Sequence, residues 1–146
     1  MADATPTWRA GTGPGRVLAG VYAFFALAAG ARAGWQIATR FGEAPVAYLL
    51  SALAAAIYLV AAVGLGRRGP VARSVALACC TVELAGVVTV GTVSLALPDA
   101  LPRATVWSGY GIGYGFVPLV LPVLGLFWLR RARPAPRHRT DATPPR

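Results

Sequence analysis

From Ala44 to Gly66 the chain passes through 23 residues without one charged side chain, and three other segments have nearly the same character. A helix that crosses a hydrocarbon core of ~30 Å needs roughly 20 apolar residues. Residues 17–39, 44–66, 74–97 and 104–129 all reach that length, with Arg32 the only charge in the first and Glu83 the only charge in the third. In lipid the backbone must satisfy its own hydrogen bonds, so such runs predict helices. The alternating segments of about ten residues that a membrane β-barrel needs are absent from the sequence. The connections, 40–43, 67–73 and 98–103, are short, which forces antiparallel neighbours. The expected fold is therefore all-α: a membrane four-helix bundle, up-down-up-down.

Composition supports that class. Charged residues make up 13% of the chain and hydrophobic residues 56%, with a mean hydropathy of +0.58. A soluble domain carries about 25% charged residues. The net charge of +9 raises the question of nucleic acid. The placement of the arginines argues against it, because they flank the apolar runs, so the expected partner is the lipid bilayer and no nucleic acid. Arg9, Arg16, Arg67, Arg68, Arg73, Arg130, Arg131, Arg133, Arg137, Arg139 and Arg146 fall on one side of the membrane. Arg40 and Arg103 fall on the other, with Arg32 near them. The positive-inside rule then gives N-in/C-in, a multi-pass protein of the cell membrane with both termini cytoplasmic. Trp35, Tyr48, Trp107 and Tyr110 fit an outer aromatic belt and Trp128 an inner one.

Residues 1–16 read as a mobile cytoplasmic tail rich in Thr, Gly and Pro, and residues 130–146 as a cytoplasmic tail rich in Arg and Pro. The second tail suits contact with anionic lipid headgroups. A competing reading exists at the first span. Arg9, Arg16, the apolar run 17–31 and Ala31-Arg32-Ala33 mimic a signal peptide, whose cleavage would leave three spans.

Glu83 is the most informative residue, since a carboxylate within a span is costly and marks a functional site by default. Its helical neighbours Cys79, Cys80, Gly86 and Val87 form a small, mildly polar face that suits a bundle interior. Burial penalises the charged form, so a neutral, hydrogen-bonded carboxyl is expected, with Tyr58 as a partner. The alternative is an ion pair with Arg32. Arg32, Gln36 and Arg40 are spaced by four and form one polar stripe that climbs the first helix to the outer surface. Glu83, Arg32, Tyr58 and Gln36 are thus the candidate intramembrane polar site.

Residues 108–116, Ser-Gly-Tyr-Gly-Ile-Gly-Tyr-Gly-Phe, place glycine at every second position. The Gly109-Tyr110-Gly111 triplet echoes a potassium filter, but no Thr-Val touches its first glycine. The spacing of four in Gly109, Gly111, Gly113 and Gly115, and again in Gly30 and Gly34, predicts close helix packing. Glycine also frays helices, so the outer end of the fourth span is expected to be partly unwound. Adjacent Cys79 and Cys80 point about 100° apart on a helix and read as small packing residues. The one histidine, His138, lies in the tail, so no metal or other cofactor is expected and no catalytic set is present in the sequence.

The stretches Gly34-Trp35-Gln36-Ile37-Ala38-Thr39-Arg40-Phe41 and 107–129, with its Tyr-Gly repeats and Pro118-Leu119-Val120-Leu121-Pro122, resemble small, uncharacterised four-helix integral membrane proteins of actinobacteria. The resemblance covers Arg16 to Arg130 and implies membrane class and lineage, with no established activity. The architecture is also similar to DoxX-like four-helix proteins. Small multidrug-resistance transporters carry one essential membrane glutamate, but in their first helix, whereas Glu83 lies in the third span. The resulting expectation is a non-enzymatic packing or interaction component of the membrane, as a homo-oligomer or with a membrane-protein partner. The alternative is a small proton-coupled transporter or channel subunit using Glu83.

Overall fold

The structure, a computed structural model, describes residues 13–132. Every regular element among them is helical. Helix α1 spans Pro14–Arg40, α2 spans Pro45–Gly66, α3 spans Pro70–Ala96 and α4 spans Val117–Arg131. Each of the four carries proline in its first turn, Pro14, Pro45, Pro70 and Pro118. There its missing N–H costs no helical hydrogen bond and its fixed φ suits the helix. This is why α1 and α3 begin three and four residues earlier than their apolar runs suggest. Most of the two expected tails, 1–12 and 133–146, lies outside the described residues.

Three helical stretches are long and apolar enough to cross a membrane: Pro14–Glu43, Pro45–Gly66 and Pro70–Ala96. The fourth segment departs from the continuous 104–129 helix expected from hydropathy. A 3₁₀ segment, Ser108–Tyr114, precedes α4 and meets it at 99°. Gly109, Tyr110 and Gly111 all have positive φ there, and Gly115 and Phe116 repeat that conformation before α4 starts. Gly111 could not carry a side chain: at φ 83, a Cβ would also stand 2.8 Å from the Pro118 ring. Tyr110 and Phe116 hold the left-handed conformation without glycine's freedom, which costs each roughly 1–2 kcal/mol. The 3₁₀ segment is fastened to α3 in return. Gly109 N–H donates to Ser94 Oγ at 2.9 Å, and the Tyr110 and Thr92 hydroxyls are 3.0 Å apart.

The core is built from small residues and a few large aromatics. Tyr22, Ala26, Ala29 and Ala33 mark the buried face of α1 at helical spacing. This face meets α2, whose buried residues include Ala54, Ala55, Tyr58, Ala61 and Ala62. Alanine at both faces lets the two backbones approach closely, the usual packing mode between helices in lipid. Ala76, Cys80 and Val87 of α3 and Leu121 and Leu129 of α4 complete the cluster. Large apolar side chains such as Phe24, Leu27, Leu53 and Val71 point outward, at 52–77% exposure. Such a surface is unfavourable in water and suits a hydrocarbon environment. α1 runs unbroken through Ala31–Ala33, and Ala33 is buried.

Two polar contacts tie the ends together. Arg73, in the first turn of α3, donates from Nε and Nη2 to the Leu129 carbonyl at the end of α4, at 3.2 and 2.7 Å. This satisfies a terminal carbonyl that has no partner within its own helix. At the opposite end of α3, Arg103 pairs with Glu43 at 2.9 Å and joins the α3–α4 connection to the α1–α2 connection.

Candidate functional site

Glu83 sits midway along α3 and has no solvent-accessible surface. Cys80 and Val87, one turn to either side on the same face, are also fully buried. The Tyr22 hydroxyl of α1 donates to Glu83 Oε2 at 2.7 Å and lies 3.5 Å from Cys80 Sγ. The Tyr22 ring stands edge-on to the Tyr58 ring of α2, with centroids 6.0 Å apart and planes at 62°. Tyr58 in turn accepts a 3.0 Å hydrogen bond from the Trp107 indole N–H. Side chains from α1, α2, α3 and the segment before α4 therefore converge at one level.

Two glycines make room for this cluster. At Gly86, one turn along α3 from Glu83, a Cβ would stand 2.8 Å from the Trp107 six-membered ring. At Gly125 of α4, a Cβ would stand 2.8 Å from Cys80 Sγ. The indole thus packs against bare α3 backbone at Gly86, and α4 closes over the Cys80 side. One atom is left over: Glu83 Oε1 is buried and has no hydrogen-bond partner among the described residues.

The structure decides against the alternative partner for Glu83 and revises the expected one. Arg32 does not reach Glu83. It donates from Nη1 to the Tyr114 hydroxyl at 2.8 Å, with its guanidinium 5.8 Å from the centre of the same ring. The reason is geometric. Ten residues separate Arg32 from Tyr22, the α1 residue that faces Glu83, which places Arg32 ~15 Å farther along the axis and about 80° around it. Tyr58 is buried in the cluster as expected, but its hydroxyl is engaged by Trp107, one ring removed from the carboxyl.

Tyr22 is the residue that sequence reasoning missed. A helical side chain leans toward its own N-terminus, so Glu83 leans back along α3 toward the depth of Tyr22. Tyr22 is also the only hydrogen-bonding side chain on the alanine face of α1. Together those two signals would have identified it.

The glycines divide differently from the spacing argument. Gly30 packs ordinarily, with Ala55 Cβ 3.7 Å from its would-be Cβ. Gly34, Gly113 and Gly115 face open space. Gly109 and Gly111 form the left-handed turn, where a Cβ would meet Ile112 and Pro118 of the same segment. The expected unwinding at the start of the fourth span is thus observed, while the close approaches fall to Gly64 and Gly125, which meet α3, and to Gly86 and Gly91, which meet Trp107 and Tyr110. At Gly64 a Cβ would meet the backbone of α3 at 3.1 Å. Cys79 and Cys80 are free thiols, the second fully buried. Gln36 and Arg40 lie apart from Glu83, at the end of the bundle where α1 stops.

Comparison with protein-family models, curated proteins and solved structures finds no match to the chain.

Proposed function

We propose that the chain is a four-crossing, up-down-up-down protein of the cell membrane with both termini cytoplasmic, and that its role is non-enzymatic: packing with itself or with a membrane-protein partner. The end-to-end contacts Arg73–Leu129 and Arg103–Glu43 support the alternating topology, because each joins the ends that such an arrangement brings together. The arginine asymmetry supports the orientation.

The observation that carries the non-enzymatic reading is the enclosure of Glu83. The carboxyl is fully buried, held by Tyr22, and bordered by Trp107 and Cys80 packed into glycine-lined gaps. A transport site needs a polar path to its carboxyl, and an enzyme needs a second reactive group converging on it. Here the group nearest at hand is a tyrosine already bonded to it. One observation favours the alternative, transport coupled to Glu83: the unpartnered Oε1 is where a proton or cation would be received.

Mass measurement of the purified chain in mild detergent and in lipid nanodiscs tests the first reading. The expected result is a defined assembly, either a homo-oligomer or a stoichiometric complex with a co-purifying membrane protein. A lone monomer in both media would contradict it.

A further inference from the structure

We propose that the cavity at the α1–α2 end of the bundle binds a phosphate-bearing anion. This site has about 470 Å³ of space and is lined by Arg32, Trp35, Gln36, Arg40, Tyr48 and Arg103, with Ala104 beside them. That volume lies within the range of about 300–1,000 Å³ typical of small-molecule sites.

Three separate elements supply the lining. Arg32, Gln36 and Arg40 lie one turn apart on one stripe of α1, Tyr48 comes from the first turns of α2, and Arg103 comes from the α3–α4 connection. Three arginines thus line one cavity from two chain segments that are distant in sequence. Glu43, the acidic residue that approaches them, pairs with Arg103 at 2.9 Å. Both partners are about half exposed, so solvent screens the pair and the local field stays positive. Asp99, at the same end, does not line the cavity. The C-terminal end of α1 and the N-terminal end of α2 meet here, so their opposite helix dipoles offset each other and the arginines set the sign.

The donors are also available. Among the described residues, neither the Gln36 nor the Arg40 side chain makes a hydrogen bond, and Arg32 and Arg103 each commit one terminal nitrogen. Guanidinium forks match phosphate oxygens in bidentate geometry, which makes clustered arginine suited to this anion. Trp35 and Tyr48 add the amphipathic rings found at headgroup level. The shared chemistry is a phosphate group. It can arrive as an anionic lipid headgroup or as a soluble phosphate. The inference is independent of Glu83 and of which membrane face is cytoplasmic.

The test uses the full chain in neutral detergent. Native mass spectrometry counts bound phosphatidylglycerol against phosphatidylcholine, and calorimetric titration measures inorganic phosphate. A lipid site predicts preferential retention of phosphatidylglycerol with no phosphate titration. A soluble-ligand site predicts a saturable phosphate titration. In either case Arg40→Gln is expected to weaken binding on the order of tenfold, the loss of a charge-assisted hydrogen-bond pair. Arg40→Lys keeps the charge but removes the fork, and is expected to weaken binding severalfold; it serves if Arg40→Gln does not fold. Equal retention of both lipids without phosphate binding would overturn the proposal. Binding unchanged by Arg40→Lys would overturn it as well.

Discussion

The Tyr22 hydroxyl donates to Glu83 Oε2 across 2.7 Å, joining the first helix to the third at a point with no access to solvent. No cation shares the site: among the described residues the one ion pair is Arg103–Glu43, at the end of the bundle. An enclosed carboxyl without a counter-ion is best accommodated uncharged, with Tyr22 donating to Oε2 and Oε1 left without a partner among the described residues.

Tyr22→Phe removes that donor and leaves the carboxyl with no partner. The expected loss of stability is about 1–3 kcal/mol, the cost of an unsatisfied buried polar group. Replacing both groups together, Tyr22→Phe with Glu83→Met, is expected to recover much of it, since no polar atom is then left orphaned. Thermal unfolding in detergent measures both. A double variant less stable than Tyr22→Phe alone would show that the pair is not the unit of stabilisation.

Arg32 and Glu83 are expected to behave independently. Arg32 is exposed and bonded to Tyr114. Arg32→Gln and Glu83→Gln should therefore add to within about 0.5 kcal/mol in a double-mutant cycle. An ion pair would instead make each single change costly, by roughly 3–5 kcal/mol, with rescue in the double variant.

The glycines divide into two sets that alanine scanning should separate. Gly86→Ala and Gly91→Ala drive a methyl into Trp107 and into Tyr110, whose backbone nitrogen stands 2.8 Å away. Each is expected to cost about 1–3 kcal/mol as an overpacked contact. Gly34→Ala and Gly113→Ala enter open space and should leave the stability of the isolated chain intact. If Gly113→Leu preserves folding but changes the size of the assembly, the exposed glycine edge is the contact between copies.

Topology is read by cysteine labelling in a background lacking Cys79 and Cys80. Asp99→Cys is expected to react from outside intact cells, and Arg68→Cys only after permeabilisation. The reverse pattern would invert the orientation drawn from the arginines.

The three continuous helices were legible in the sequence because each is a long run that only a helix can carry through lipid, whereas the apolar runs place the starts of α1 and α3 late, because hydropathy does not read Pro14 and Pro70 as first-turn residues. The fourth was not. Hydropathy sums over residues 104–129 without registering that Gly109, Gly111 and Gly115 adopt positive φ, which folds the run back on α3 before α4 begins. Glu83 stood out because a single charge in an apolar run is conspicuous. Its partner did not, since Tyr22 looks apolar in a span and its depth must be matched through two helix lean directions. Arg32 was conspicuous for the same reason as Glu83. That similarity suggested a pairing which the rotation of α1 prevents.

The most direct test of the enclosed, structural Glu83 compares wild type and Glu83→Gln in proteoliposomes under an imposed pH gradient, with unfolding followed in parallel. The amide retains one acceptor for Tyr22 and removes only ionisation. The account predicts that Glu83→Gln folds with stability within about 1 kcal/mol of wild type, and that neither protein dissipates the gradient. Proton flux through the wild type that disappears in a normally folded Glu83→Gln would contradict it.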